Sequence, residues 1–168
     1  REENEGAQPW SLDDILHLDR NIGAGALGGV AIVEDQLYVH GGYWNVPNWI
    51  YILDFEGALI DSFRQFGSGR YGMVDLAWDE TLLWGGDDRE VFGFFPEERE
   101  GQVQVRFRTP IRPIQAIAWD VNNEILWVSG KQTDILGYTR GGELISQITN
   151  PGFTIQGIDF INADADYP

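Results

Sequence analysis

The sequence predicts an all-β chain, a β-propeller of four-stranded blades, and three observations carry that expectation. A unit recurs: Ala77-Trp78-Asp79 returns 41 residues later as Ala118-Trp119-Asp120, and each copy is followed by a leucine-tryptophan pair, Leu83-Trp84 and Leu126-Trp127. The related Val33-Glu34-Asp35, with Leu37-Tyr38-Val39, stands 44 residues before, and Gly157-Ile158-Asp159-Phe160 continues the spacing forwards. A period near 40 residues is the signature of propeller blades. Glycine, at 21 residues, punctuates the chain at intervals suited to short strands and tight turns. No segment places apolar residues at i, i+3, i+4 and i+7 over three turns, which disfavours helix. A β-sandwich is the competing all-β answer. Its strands need not resemble one another at constant spacing, whereas stacked blades present the same faces to each neighbour.

Residues 1–10 are charged and aperiodic and are expected to form a disordered acidic tail, with the partial propeller over 11–168. Residues 14–19 alternate enough to predict one orphan strand. Blades follow near 29–72, 73–114 and 115–155, with a second orphan strand over 156–161. Within the first blade, strands are expected near 29–34, 36–40, 49–54 and 58–64. The last two are joined by Asp54-Phe55-Glu56-Gly57, a type I turn closed by a left-handed residue. Thr139-Arg140-Gly141-Gly142 holds the same place in the third blade, and Pro96 to Gly101 forms a longer tip in the second. Three blades and two orphan strands fall short of the four to eight blades of a closed ring. Open blade edges invite pairing, so a second copy or another part of the same polypeptide is expected to complete it. Two copies of about three and a half blades would make seven.

The chain has 168 residues, one ordinary domain, with 27 acidic against 11 basic side chains and a formal charge of −16. A field of that sign repels phosphate backbones and anionic lipid, so nucleic acid and membranes are not expected as partners. Cysteine is absent, which removes disulfide and thiol chemistry. No apolar run approaches the roughly 20 residues that span a bilayer. No signal-peptide pattern is present and residue 1 is Arg, as in a processed secreted protein or an excised fragment.

Aspartates 35, 79 and 120 recur at the turn into each blade's second strand, where they read as turn formers. Trp78, Trp84, Trp119 and Trp127 read as core for the same reason. Residues that break the repeat are the better candidates for binding. The loops that join blades, and those between second and third strands, would gather Tyr43, Trp44, Trp49, Arg70, Tyr71, Asp87, Asp88, Arg89, Arg112 and Lys131 on one face. Aromatic and charged side chains on a rigid scaffold suit a glycan or peptide ligand. The alternative is that Asp88 pairs with Arg89 and that Tyr43 and Trp44 cap the mouth of the propeller. Asp75 stands where Ala31, Ala116 and Gly157 stand in the other units, with Arg70 close in sequence as a partner. The pair is either a buried ion pair or the acidic centre of an enzyme. His17 and His40 supply no companion for it, and no GxSxG, HExxH or phosphate-binding loop occurs. Asn162, Asp164 and Asp166 offer oxygen ligands at alternate positions, as a calcium loop does, but Tyr167 stands where that loop needs glycine. No cofactor is expected, calcium being the one candidate.

These units resemble the blades of secreted bacterial and archaeal β-propeller repeat proteins. The matching residues are Leu76-Ala77-Trp78-Asp79 with Leu83-Trp84, Ile117-Ala118-Trp119-Asp120 with Leu126-Trp127-Val128, and Ile50-Tyr51-Ile52-Leu53-Asp54-Phe55-Glu56-Gly57. The resemblance implies an extracellular, cell-surface or periplasmic protein whose propeller is a non-catalytic binding or scaffolding module. Quinoprotein dehydrogenases are similar, but Asp79-Glu80-Thr81-Leu82 lacks the glycine of their docking motif. Streptogramin lyases are similar in blade length, but neither His17 nor His40 matches their catalytic histidines. A propeller lyase or glycan-acting enzyme centred on Asp75 and Arg70 is the alternative function.

Overall fold

The computed structural model describes residues 15–18, 22, 27–42, 48–67, 72–97 and 102–160. Among the described residues twelve strands form three antiparallel meanders, each in sequential order. The first blade contains β1 (Leu27–Val33), β2 (Gln36–Gly41), β3 (Trp49–Leu53) and β4 (Leu59–Arg64). The second contains β5 (Leu76–Trp78), β6 (Leu83–Asp87), β7 (Glu90–Phe94) and β8 (Val103–Arg108). The third contains β9 (Ala116–Asp120), β10 (Ile125–Ser129), β11 (Ile135–Tyr138) and β12 (Leu144–Ile148). The innermost strands β1, β5 and β9 stand side by side. The fold is therefore all-β and propeller-like, three blades in an arc.

Burial explains the composition of each strand. β6 and β9 are buried along their whole length and are apolar or small up to a terminal aspartate, because a blade lies on either side of them. Outer strand β8, Val-Gln-Val-Arg-Phe-Arg, alternates half-buried and exposed positions with a period of two. Two apolar cores fill the gaps between blades. Tyr38, Ile50, Ile52 and Phe63 of the first blade meet Leu76, Leu83, Phe92 and Phe94 of the second. Trp84 and Val91 of the second then meet Ile117, Leu126, Val128 and Tyr138 of the third. Each such side chain contributes about 1.5–3 kcal/mol when fully buried. In the second and third blades a glycine faces the inner tryptophan. A Cβ on Gly93 would lie 2.7 Å from the Trp84 ring, and one on Gly137 would lie 3.0 Å from Trp127.

The turns carry out the chemistry expected of them. Asp54 accepts hydrogen bonds from the Glu56 and Ala58 amides, and Gly57 closes the turn at φ 80°. Thr139 and Gly142 repeat the arrangement, with Gly142 donating its amide to the Thr139 carbonyl at 2.9 Å. Asp79 is almost wholly buried. One of its oxygens accepts the Thr81 and Leu82 amides, and the other accepts the Trp84 indole at 2.9 Å and the Arg140 guanidinium at 2.7 Å. Arg140 belongs to the third blade and also lies over the Trp119 ring, 4.8 Å from its centre. One buried carboxylate therefore ties a turn, a core indole and the neighbouring blade. Asp120 repeats the turn contacts, accepting the Asn122 and Asn123 amides and the Asn123 side chain. Burial alone would raise its pKa, but those hydrogen bonds, with the nearby Trp127 indole, outweigh it and hold the carboxyl below its ordinary value.

Four expectations are corrected. Of the orphan strand expected over 14–19, the described residues 15–17 form no strand and Leu18 has helical backbone. Residues 156–160 are not a strand either, since no further strand is available to pair with them among the described residues. Asp35 is not the counterpart of Asp79: Leu37 pairs with Ile32 as Leu83 pairs with Trp78, which puts buried Val33 in the Asp79 place and exposed Asp35 in the hairpin turn. Ala31 pairs with Tyr38 as Ala77 pairs with Trp84, so Ala31 matches Ala77 and not Asp75.

Asp79→Ala should destabilise the chain by about 3 kcal/mol or more in urea unfolding, because the buried indole and turn amides lose their acceptor. Arg140→Ala should cost about 1 kcal/mol, since its side chain is 44% exposed and Asp79 keeps three donors. Equal losses in the two variants would contradict this hierarchy.

Candidate functional site

The rim of the propeller is built on one polar residue after each blade's outer strand. Gln65 donates its side-chain amide to the carbonyls of Gly41 and Trp49 and accepts the Met73 amide. The Thr109 amide bonds the Arg89 carbonyl, and its hydroxyl accepts the Ile111 amide. Asn150 bonds the Thr133 carbonyl and Asp134. Each stitches the exit loop to the loop between second and third strands of its own blade. Trp49, Asp87, Asp88, Arg89, Arg112 and Lys131 sit in or beside these loops.

Tyr43, Trp44, Arg70, Tyr71, Asn162, Asp164 and Asp166 lie outside the described residues. Trp49 is half-buried at the start of β3, paired with Arg64. The loop expected from Gly85 to Arg89 is mostly strand, leaving only the two-residue turn Asp88-Arg89 with Asp88 at φ 53°. Asp88 pairs with Arg112 at 2.9 Å, not with Arg89, so two candidates from different loops do meet. Both are about half exposed, and the pair contributes no more than about 1 kcal/mol. Asp87 is buried, and Gly67 from the first blade's exit loop presses against it at φ 91°. A Cβ there would lie 2.3 Å from the Asp87 carboxylate, so this residue serves the joint between blades. Arg89 and Lys131 are exposed.

Asp75 opens onto the inner side of the arc, where β1, β5, β9 and residues 157–160 line a cavity of about 860 Å³. One carboxylate oxygen accepts its neighbour's amide, Leu76, at 3.0 Å, and the other accepts the Ile117 amide of the third blade, also at 3.0 Å. Burial is the main influence on this carboxyl. It overcomes the two hydrogen bonds and, with help from the charge on Asp159, raises the pKa from 3.8 to about 6. Gly29 makes the approach possible, since a Cβ there would lie 2.4 Å from the Asp75 carboxylate. Among the described residues no group of three acidic or histidine side chains could hold a metal ion. Sequence reasoning missed Arg140 and Asp159. Arg140 stood in a turn that looked interchangeable between blades, and Asp159 lay within a predicted strand.

No protein-family model matches this sequence, and none of the curated proteins matches it. Solved structures do match in fold. The WD40 repeats of RRP9 superpose with a TM-score of 0.63 at 8% identity, covering 80% of this chain and 42% of theirs. The Pan2 WD40 domain of Neurospora crassa gives 0.61 at 14%, covering 83% and 43%. The computationally designed Ika8 protein gives 0.58 at 15%, covering 82% and 41%. At such identities the likeness is one of fold alone. This chain spans about two fifths of the length of those it matches.

Asp75 yields a prediction in pH. It binds its proton more tightly in the folded chain than the ordinary value of 3.8 would give. Its favourable contribution is therefore complete below that value and is lost as pH rises through about 6. Asp75→Asn should remove this component, so the stability difference between wild type and variant in urea should change between pH 4 and pH 7 and be flat above it. A difference independent of pH would show that the carboxyl titrates normally.

Proposed function

We propose that this chain is three blades of a larger extracellular propeller, a non-catalytic module that binds a glycan or protein on its rim and scaffolds what is attached to it. The observation that carries the reading is the state of the first blade's outward face. Val30 holds the place of Leu76 and Ile117, as their pairing with Val39, Gly85 and Val128 establishes. Leu76 and Ile117 are 4% and 1% exposed under the preceding blade, whereas Val30 is 54% exposed and Ile32, two residues on, is 58% exposed. Side chains selected for an interface between blades stand open at the end of the array, which favours completion by another stretch of the polypeptide or a second copy. Three blades spanning 42% of a matched chain scale to about seven for the whole, within the four to eight of closed rings.

A binding role agrees better than catalysis with the charged residues present. Both Asp75 oxygens accept backbone amides, so the carboxylate acts as a strut between the second and third blades. The rim combines a half-buried tryptophan, Trp49, with exposed Arg89 and Lys131, a mixture suited to a polar ligand with apolar faces. The extracellular location rests on the resemblance of the blades and agrees with the charge of −16.

Carbene footprinting should label Val30 and Ile32 heavily in the isolated chain and weakly in the native assembly purified from its source. Equal labelling in both would mean that nothing completes the ring on this side. On glycan and peptide arrays, Trp49→Ala should weaken binding by tenfold or more without altering the circular dichroism spectrum. An assembled ring that binds neither array would refute the binding role.

A further inference from the structure

The geometry points to Asp120, Trp127 and Phe160 as half of a second clamp between blades, whose other half is an arginine in the third-to-fourth strand turn of a blade that packs on the third. The inference rests on the reading that further blades follow, and it specifies their chemistry. The template is the joint between the second and third blades, where Arg140 bonds both the Asp79 carboxylate and the Asp79 carbonyl and covers Trp119.

Each component of that joint recurs one blade later. Asp120 corresponds to Asp79, and Trp127 to Trp84, by the pairing of β9 with β10 and β5 with β6. Phe160 lies one period beyond Trp119. It stacks on Trp127 with ring centres 6.0 Å apart and planes 15° from parallel. Residues 157–160 border the inner cavity beside β9, as β9 borders it beside β5. They stand where the first strand of a fourth blade belongs. Trp127 is 6% exposed and its indole lies near Asp120 without the well-aligned bond that the Trp84 indole donates to Asp79. Ser129, two residues along the same face and fully buried, has an unpartnered hydroxyl. The buried Ser129 hydroxyl is an acceptor that a donor from a following blade can fill.

A second copy does not supply that partner. Its first blade would present Asp54-Phe55-Glu56-Gly57, with Phe55 in the Arg140 position, 44% exposed, and a glutamate beside it. Phe55 would offer the Asp120 carboxylate no guanidinium, and two chains of charge −16 repel each other. The blade that fits carries a guanidinium and comes from a different sequence.

The test extends the chain. In one fusion, Phe160 is followed by a copy of residues 120–160, a fourth blade in register whose turn contains arginine. A second fusion is identical but has phenylalanine in place of that arginine, as in the first blade. The arginine fusion should be more stable to urea than the phenylalanine fusion by at least about tenfold in the unfolding equilibrium constant, and Asp120→Asn should abolish the difference. In the arginine fusion the Trp127 indole proton should exchange with solvent more slowly than in the unextended chain. Equal stabilisation by both fusions would overturn the clamp and leave the reading of an unfinished ring intact. A difference that survives Asp120→Asn would overturn it too. No stabilisation by either fusion, with the Trp127 indole unchanged, would overturn both.

Discussion

The Asp79 carboxylate is the interaction on which the joint between the second and third blades depends. A buried charge is costly unless its lone pairs are filled, and here four donors from three parts of the chain fill them. Two come from its own turn, one from the indole at the centre of the blade, and one from the next blade. The local turn, the rotamer of Trp84 and the angle between blades are therefore set by the same group. Apolar packing between sheets is tolerant of small slides, but a guanidinium held to both a carboxylate and a carbonyl is not. The core supplies most of the stability and the clamp fixes the geometry.

The first blade shows what happens when the clamp residue is missing. Val33 stands in the Asp79 place, buried, and Tyr38 replaces the inner tryptophan. Ile52 lies across from Tyr38, where Gly93 lies across from Trp84. The substitutions are coupled by volume: a wide indole needs a glycine opposite it, whereas a smaller ring leaves room for isoleucine. The joint between the first and second blades is correspondingly held by packing, including the edge-on contact of Phe63 with Phe94, and by the Gly29 amide on the Val74 carbonyl.

The repeat was legible because three blades need the same side chains at the same depth, and the spacing of Trp84 and Trp127 located the sheets. What escaped sequence reading was register. Asp35 follows a glutamate in a two-residue turn, two residues beyond where a repeat aspartate would lie, and a period-two strand gives no warning of a slip that keeps the same face. Residues 156–160 have the apolar content of a strand, but a strand exists only where a partner takes its backbone bonds. Arg140 was invisible because the turn residues 139–142 have their own local reason to exist, and the guanidinium acts 61 residues away. The pairing of Asp88 with Arg112 likewise joins loops 24 residues apart, and sequence proximity favoured Arg89 instead.

Asp75 has a different origin from the clamp aspartates, although it too joins blades. Asp79 is filled by four donors, one of them a guanidinium. Asp75 has only two backbone amides, faces Asp159 across the inner cavity, and has a pKa near 6. Its position requires glycine in the first blade's neighbouring strand, so the close approach and the perturbed carboxyl are one structural choice. A neutral carboxyl is spared the repulsion from Asp159 that the ionised form meets. On the inner wall, Asp75 is thus a carboxyl whose charge changes in the mildly acidic range. A change of stability in that range would arise at the axis.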